Sequence, residues 1–483
     1  MKNKARIVED TTRIPVTKQD LPALDKLTRW LKERKERPFV AGDFNRFEEE
    51  LGERLREAGR EALKEELARA DVDAEAVMID GTLHRRVLRG TETYLTTMGP
   101  VMVERTLYKD RTDSGARAVV ALEAQIGIIG GFWTPAAAKQ ATWVVSQMTP
   151  GLSEELFKRV GTMRPSKSSL DRLPKELNGN WEDNRKAFEA ELQRVTVIPE
   201  DTKSIAVSID GVLAPMKDGG AAETRTRAAN DGRISKGPAG YREVGCATIS
   251  FCDEDGEMIS AIRIARMPES RKTTLKESLL DELGAILAQR SDLPIVKVAD
   301  AAIDNWSFLQ TKIPFGAEII DFFHASEHLG QALAAAYGDG TREARIRFIE
   351  LQEILREDCG GVDNVIRSLT YLQKKYPKRK RIAEVTAYFK KHRGMMRYYE
   401  HKQLGLAIGS GAVEAACKTL VAQRMKQSGM RWGMAGGQAI LTTRGWTQSE
   451  RFDDAWALLA ATYKVQVTTL DNVVALPKRR IPA

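Results

Sequence analysis

The sequence predicts a multidomain α+β protein built around a mixed sheet flanked by helices. Three observations carry this. The chain has 483 residues, too many for one ordinary core. Hydrophobic residues make up 42%, enough for packed domains. Between residues 201 and 329, β-rich and helical runs alternate, whereas the sequence on either side is charged and helix-forming.

The first stretch, residues 1–90, reads as a charged helical region. In "RFEEELGERLREAGREALKEELARA", Phe44, Phe47, Leu51 and Leu55 recur at helical spacing, so residues 42–68 predict an amphipathic helix. Its apolar face serves either ordinary packing or self-association. Residues 91–200 form the next region. It opens with a short hairpin over 92–108 and turns helical from 134. Within it, "SEELFKRVGTMRPSKSSLDRLPKEL" resembles a helix-turn-helix. Gly161 falls near the turn and Ser166 or Ser168 can cap the second helix. Arg164, Lys167 and Arg172 would then face a phosphate backbone. Pro174 counts against it, because proline interrupts a helix interior.

The third region, 201–329, begins with "SIAVSIDGVL", an apolar strand with an aspartate and glycine near its end. "REVGCATISFCDEDGEMISAIRIARM" is a hairpin around "DEDG". Then follow a helix, "TTLKESLLDELGAILAQ", a strand, "LPIVKVAD", a helix, "AIDNWSFLQ", a strand, "GAEIID", and the helix containing "HASEHL". Strand, hairpin, helix, strand, helix, strand, helix is the element order of an RNase H-like core. Residues 330–405 become continuously helical and basic, which predicts a helical insertion; its run Lys375, Lys378, Arg379, Lys380 and Arg381 either contacts DNA or is a solvated basic face. Residues 406–465 resume the core with a glycine-rich turn and a helix bearing Glu414, and 466–483 read as a basic tail.

The formal net charge of +8 and pI of about 9.1 suit a polyanionic partner. Cys246, Cys252, Cys359 and Cys417 make no C-x-x-C pair and no disulfide framework, as expected in a reducing compartment. The N-terminal residues lack an apolar signal core. No run approaches the roughly 20 apolar residues that cross a bilayer, so a cytoplasmic protein with no membrane partner is expected.

Asp210 and Asp300 fall at or near the ends of apolar strands, and Glu414 lies on a later helix. Such hard oxygen donors suit Mg²⁺ or Mn²⁺. Two such ions about 3.5–4 Å apart can activate a water or 3′-hydroxyl and stabilise the leaving oxygen of a phosphodiester. Each acid alone also reads as a turn former, a helix cap or a solvated first-turn residue. "DFFHASEHL" is open in the same way. From His324 it spells H-x-x-E-H, a zinc-peptidase signature with Glu327 as base and His328 as second ligand. From Asp321 it spells D-x-x-H after a strand.

In order, "SIDGVLAPM", "VKVADAAIDNW", "IIDFFHASEHL", "YFKKHRGMMRYY" and "LAIGSGAVEAACKTLVAQRMKQSGMRW" resemble blocks of the ISKra group of bacterial insertion-sequence transposases. These are DDE-type enzymes distantly similar to Mutator-type transposases. The resemblance runs over residues 90–460 or so. It implies Asp210, Asp300 and Glu414 as catalytic and metal-holding acids with two Mg²⁺ or Mn²⁺ ions, and Asp321 and His324 as the D-x-x-H element supporting the site. It further implies a transposase that binds double-stranded DNA at element ends and target, works as a homodimer or higher oligomer, and associates with the nucleoid. It favours D-x-x-H over the peptidase. One departure stands out: the family's D-G-A reads "DAAIDNW" here, with Ala301 in place of glycine and Asp304 as an extra acid. Lys418, Arg424, Lys426 and Arg431, near Glu414, are further candidates for phosphate contact. Trp306 and Trp432 read as base-stacking or core residues, and Cys417 as a small apolar filler. The competing functions are a transposase-derived DNA-binding regulator with a dead site and an RNase H-like nuclease without strand transfer.

Overall fold

The computed structural model describes residues 21–470 apart from 39, 111, 113, 114, 162 and 218–239. It is a mixed α+β structure in two compact units. One comprises residues up to 141, 150–170 and 460 onward; the other comprises 142–149 and 171–459.

The first unit opens with α1 (Pro22–Lys35) and α2 (Phe44–Arg69). Trp30 of α1 stacks on Phe47 of α2 at 5.3 Å. The Ala23 N–H at the start of α1 donates to Glu61 at 2.6 Å, satisfying one of the donors a helix N-terminus leaves free. Phe44 and Leu55 stay exposed. The helical region does not reach residue 90, because β1 (Ala76–Ile79) and β2 (Thr82–Thr96) begin within it. Asp80 and Gly81, both with positive φ, form the tight turn between them. β2 pairs with β3 (Gly99–Asp110), so the hairpin expected over 92–108 is the distal part of a longer one. Its first half, "TLHRRVL", is exposed on both faces except at His84, which erases the polar–apolar alternation that marks a strand. β4 (Val119–Val120) and β10 (Val467–Thr469) complete an antiparallel sheet in the order β10-β1-β2-β3-β4. Part of the expected tail is thus a strand, and residues 471–483 lie outside the described residues. Helices α3 (Ala121–Ile126) and α5 (Pro150–Val160) belong to this unit, whereas α4 (Pro135–Gln147) and α6 (Lys167–Val195) begin in it and continue in the second from residues 142 and 171. Gly161 has φ +78 just after α5, and the Ser169 N–H donates to the Ser166 hydroxyl at 3.2 Å at the start of α6. Pro174 lies inside α6.

The second unit holds β5 (Ser204–Pro215), β6 (Tyr241–Cys252), β7 (Met258–Arg266), β8 (Ile295–Ala299) and β9 (Ala317–Ile320) in the order β7-β6-β5-β8-β9. β6 runs antiparallel to β5 and β7, whereas β5, β8 and β9 are parallel. Parallel neighbours need crossovers, supplied by α7 (Thr273–Gln289) and α8 (Ile303–Lys312). Val207, Ile209, Ile249, Val296, Val298 and Ile319 are fully buried in the core between sheet and helices. After β9 the chain is helical through α9 (Phe322–Tyr337), α10 (Arg342–Glu357), α11 (Gly361–Lys375), α12 (Lys380–Lys391) and α13 (Tyr398–Gln403). α14 (Gly411–Ala416) continues as a π-helical stretch, Cys417–Ala422, and packs on β5 and β6. α15 (Met434–Gln448) lies on β7, and α16 (Phe452–Ala461) follows. No helix among the described residues is long and apolar enough to cross a membrane.

Candidate active site

Asp210 lies near the end of its strand, as expected, but inside it, and Gly211 makes no turn. β5 runs five residues further, to Pro215, and Gly211 is paired in the ladder opposite Gly245. The glycine is required by close approach: a Cβ on Gly211 would lie 2.1 Å from the Glu243 carboxylate. Asp300 directly follows β8, and Asp321 directly follows β9. Since β8 lies beside β5, these strands bring Asp210 and Asp300 into electrostatic contact. Burial, and then the Asp300 charge, raise the Asp210 carboxyl above the usual aspartate range. The Gly211 N–H, Lys272 and the Cys417 thiol oppose that rise.

Each carboxylate is also held by its neighbours. One Asp210 oxygen accepts from the Gly211 N–H at 2.7 Å, and the other lies 3.7 Å from the Cys417 thiol. Asp300 accepts from the Ala302 N–H at 3.1 Å and from Asn305 at 3.3 Å. The buried Trp306 indole donates to the Asp300 carbonyl at 2.6 Å. Trp306 is therefore a core residue that fixes Asp300. Glu414 is exposed on α14, one turn before Cys417, so the helix of the third acid is tied to Asp210 through that thiol. Cys417 is more than a filler: contact with Cys246, burial and the Asp210 charge push its thiol far up.

Asp321 is 4% exposed and joins two elements. One oxygen accepts from the His324 N–H at 2.6 Å and caps α9; the other accepts from the Ser410 N–H at the entrance to α14. Gly409 permits this approach, since a Cβ there would meet the Phe323 ring at 3.2 Å. His324 and His328 face each other with Nε2 atoms 3.3 Å apart. Glu327 is exposed, and its carboxylate is 4.0 Å from the His324 Nδ1. Burial, then His324 and Arg381, push His328 down to about 4. No three His, Cys, Asp or Glu side chains among the described residues stand together as a metal cage, around either the histidines or the three acids. The donor chemistry of Asp210 and Asp300 fits a hard divalent cation. A divalent cation held by these residues would offset the repulsion and desolvation that raise Asp210. Glu414 does not complete that pair into a ready-made cage.

Of the proposed DNA-contacting cations, Arg164, Lys167, Arg172, Lys418, Lys426 and Arg431 are exposed. Arg424 is not: it is 2% exposed, lies over the Trp432 ring at 5.1 Å and donates to the Val145 carbonyl near the end of α4. Its place on the apolar stripe was readable, because Val413, Cys417, Leu420 and Arg424 repeat at three-to-four spacing. Trp432 packs with it and donates to the Met425 carbonyl at 3.0 Å. Arg379 in the basic run binds the Ala335 and Ala336 carbonyls at the C-terminus of α9, and Arg381 binds Gln331 and Glu384. Asp304 is exposed on α8.

Two residues near the acids were not singled out in the sequence. Tyr388 of α12 stacks on His328 at 4.3 Å. Its hydroxyl is buried with no partner among the described residues, and burial and then the charges of Asp300 and Asp321 push it up. Lys272 sends its ammonium to the Asp210 carbonyl at 3.4 Å and to Glu243 at 2.9 Å. Tyr388 opens the block "YFKKHRGMMRYY", but nothing in that block marks this tyrosine over its neighbours, and Lys272 lies in none of the five blocks.

No protein-family model matches the chain, and no curated protein matches it.

Proposed function

We propose that the chain is a DDE-type DNA transposase with an RNase H-like core. The sheet order β7-β6-β5-β8-β9, with the last three strands parallel, supports that core. The observation that carries the reading is the coupled pair Asp210–Asp300 on adjacent strands, half-buried, with the Glu414 helix bonded to the same Asp210. A stable protein gains little from placing the Asp300 charge where it disfavours the Asp210 carboxylate. Such pairing is expected where divalent cations are bound.

Asp210 and Asp300, with Glu414 moving in from α14, would hold Mg²⁺ or Mn²⁺. The bound ions would polarise the phosphodiester and activate the attacking water or 3′-hydroxyl. The protein's own part is to orient the carboxylates. The Gly211 and Ala302 N–H groups fix one oxygen each, and Asp321 fixes the turn leading to Glu414. The exposed cations Lys418, Lys426 and Arg431 follow the third acid and suit a phosphate backbone. Arg164, Lys167 and Arg172, around the start of α6, suit a second DNA contact. The expected cellular place is the cytoplasm, on the nucleoid when bound to DNA.

Asp210→Asn tests the reading. The variant is expected to lose Mn²⁺-dependent nicking of supercoiled plasmid by at least about a thousandfold, with duplex affinity within a few-fold of the parent, because binding rests on the basic residues. Parental nicking by Asp210→Asn would refute the assignment.

A further inference from the structure

The turn between β7 and α7 is built against the usual backbone preference. Arg271 and Lys272, consecutive and neither of them glycine, both have φ +54. Left-handed geometry is strained for L-residues with side chains, and it persists only where the surroundings enforce it. Here the surroundings are cut to receive Lys272. Gly211 and Gly245 face each other across β5 and β6. A Cβ on Gly211 would collide with Glu243, and one on Gly245 would come 2.7 Å from Leu275 and 3.5 Å from the Lys272 stem. The gap left by the two glycines lets the lysine pass over the sheet until its ammonium reaches the Asp210 carbonyl and Glu243.

The turn is held without the lysine: the Leu275 N–H donates to Glu269 and the Thr273 hydroxyl to the Ser270 carbonyl, each at 2.9 Å, so anchoring the turn does not account for Lys272. The Glu243 partner is 52% exposed, and a pair with so wet a carboxylate contributes less than two strained residues cost. The lysine side chain is itself 18% exposed. It lines an open cleft of about 250 Å³ together with Arg242, Arg266 and Glu243. Arg266 is already engaged by Glu182 in a two-point pair at 2.7 and 2.9 Å. Lys272 is thus the cation of this cleft that is bonded directly to the Asp210 residue.

We infer that Lys272 contacts the reacting phosphodiester, its ammonium held beside Asp210 to take a non-bridging phosphate oxygen. This rests on the proposed DDE-type transposase reading and deepens it. The ligand is the DNA backbone. On its arrival Lys272 exchanges the half-exposed Glu243 for a phosphate oxygen. The strained turn keeps the ammonium at the correct height before the substrate is bound, so that little reorganisation remains when negative charge develops on the phosphate.

The test uses the full chain, Mn²⁺ and supercoiled plasmid, and compares Lys272→Gly, Lys272→Met, Lys272→Arg and Asp210→Asn. Glycine relieves the strain and removes the charge; methionine keeps the strain and removes the charge. Both are expected to lower nicking at saturating plasmid by about 10–100-fold with the half-saturating plasmid concentration changed less than about threefold. Lys272→Gly should melt at or above the parent's temperature, and Lys272→Arg should restore most of the rate. That combination of undiminished stability and lost turnover would not arise from a merely structural lysine. Parental nicking by Lys272→Gly and Lys272→Met, with Asp210→Asn inactive, would overturn this inference alone. So would loss of nicking that tracks a lowered melting temperature in all three lysine variants. Parental nicking by Asp210→Asn would overturn the transposase reading and this inference with it.

Discussion

At the scale of single residues, what distinguishes the site is how many polar groups are held without full compensation. Asp210 is raised by burial and by Asp300, Tyr388 keeps a buried hydroxyl without a partner among the described residues, and His328 is held neutral. The histidine gives a pH prediction. Its folded-state value, about 4, lies below the usual 6.5, so between these values the unfolded chain binds the proton more readily. The stability that a neutral His328 contributes is present above about pH 6.5 and is lost as pH falls toward 4. The groups facing it are His324, Arg381 and the Tyr388 ring, and the first two oppose its protonation. His328→Gln should therefore lose less stability than the parent between pH 7 and pH 4.5, measured as the shift in urea midpoint. Equal losses in the two proteins would remove His328 as a source of acid sensitivity.

At the scale of elements, the second unit was the more legible. Apolar runs bounded by aspartate or glycine located β8, β9 and the β6–β7 hairpin, and the 3.6 periodicity located α7 and α9, because each of these buries one clear face. The sequence places Asp210 near the end of its strand but leaves Gly211 open as a turn former, because sequence does not distinguish a turn glycine from one that lets a neighbour approach, as Gly211 does for Glu243. The pairing of β1 with β10 joins residues 79 and 467, a separation that no local pattern encodes. Nor does any pattern announce the left-handed geometry of Arg271 and Lys272. Of the candidate site, the D-x-x-H stretch was visible, but its physical role emerges only between elements. Asp321 ties the first turn of α9 to the entrance of α14. Asp321→Ala leaves the His324 and Ser410 N–H groups without their acceptor in a buried setting, which costs about 1–3 kcal/mol. Urea denaturation should show a loss in that range, with Asp321→Asn, which keeps one acceptor oxygen, losing less. A loss for the alanine variant below about 0.5 kcal/mol would mean the bracket does not hold the two helices.

At the scale of the whole molecule, the proposed transposase activity would require two DNA ends to be handled together. One set of carboxylates serves one strand at a time, and joining both ends in concert requires at least two copies. The first unit carries a surface suited to that contact. α1 covers part of the apolar stripe of α2 by stacking Trp30 on Phe47, yet Phe44 and Leu55 remain 53% and 51% exposed, and Leu24 and Leu31 of α1 are also exposed. If two copies pair, as the proposed function requires, these uncovered apolar side chains on the two-helix hairpin are the surface we propose for the contact. A twofold contact would be self-complementary, with the same stripe offered by each partner. Replacing Phe44 and Leu55 by serine removes apolar area that is already half in water, so the monomer's melting temperature should change by no more than a few degrees. Sedimentation of the full chain with a DNA duplex should show a complex holding two or more subunits for the parent and a single subunit for the double variant. The basic residues are untouched, so the double variant should still bind DNA with the parent's salt dependence. A double variant that sediments as the parent does would place the subunit contact elsewhere. A monomeric parent complex that still performs strand transfer would remove the need for pairing altogether.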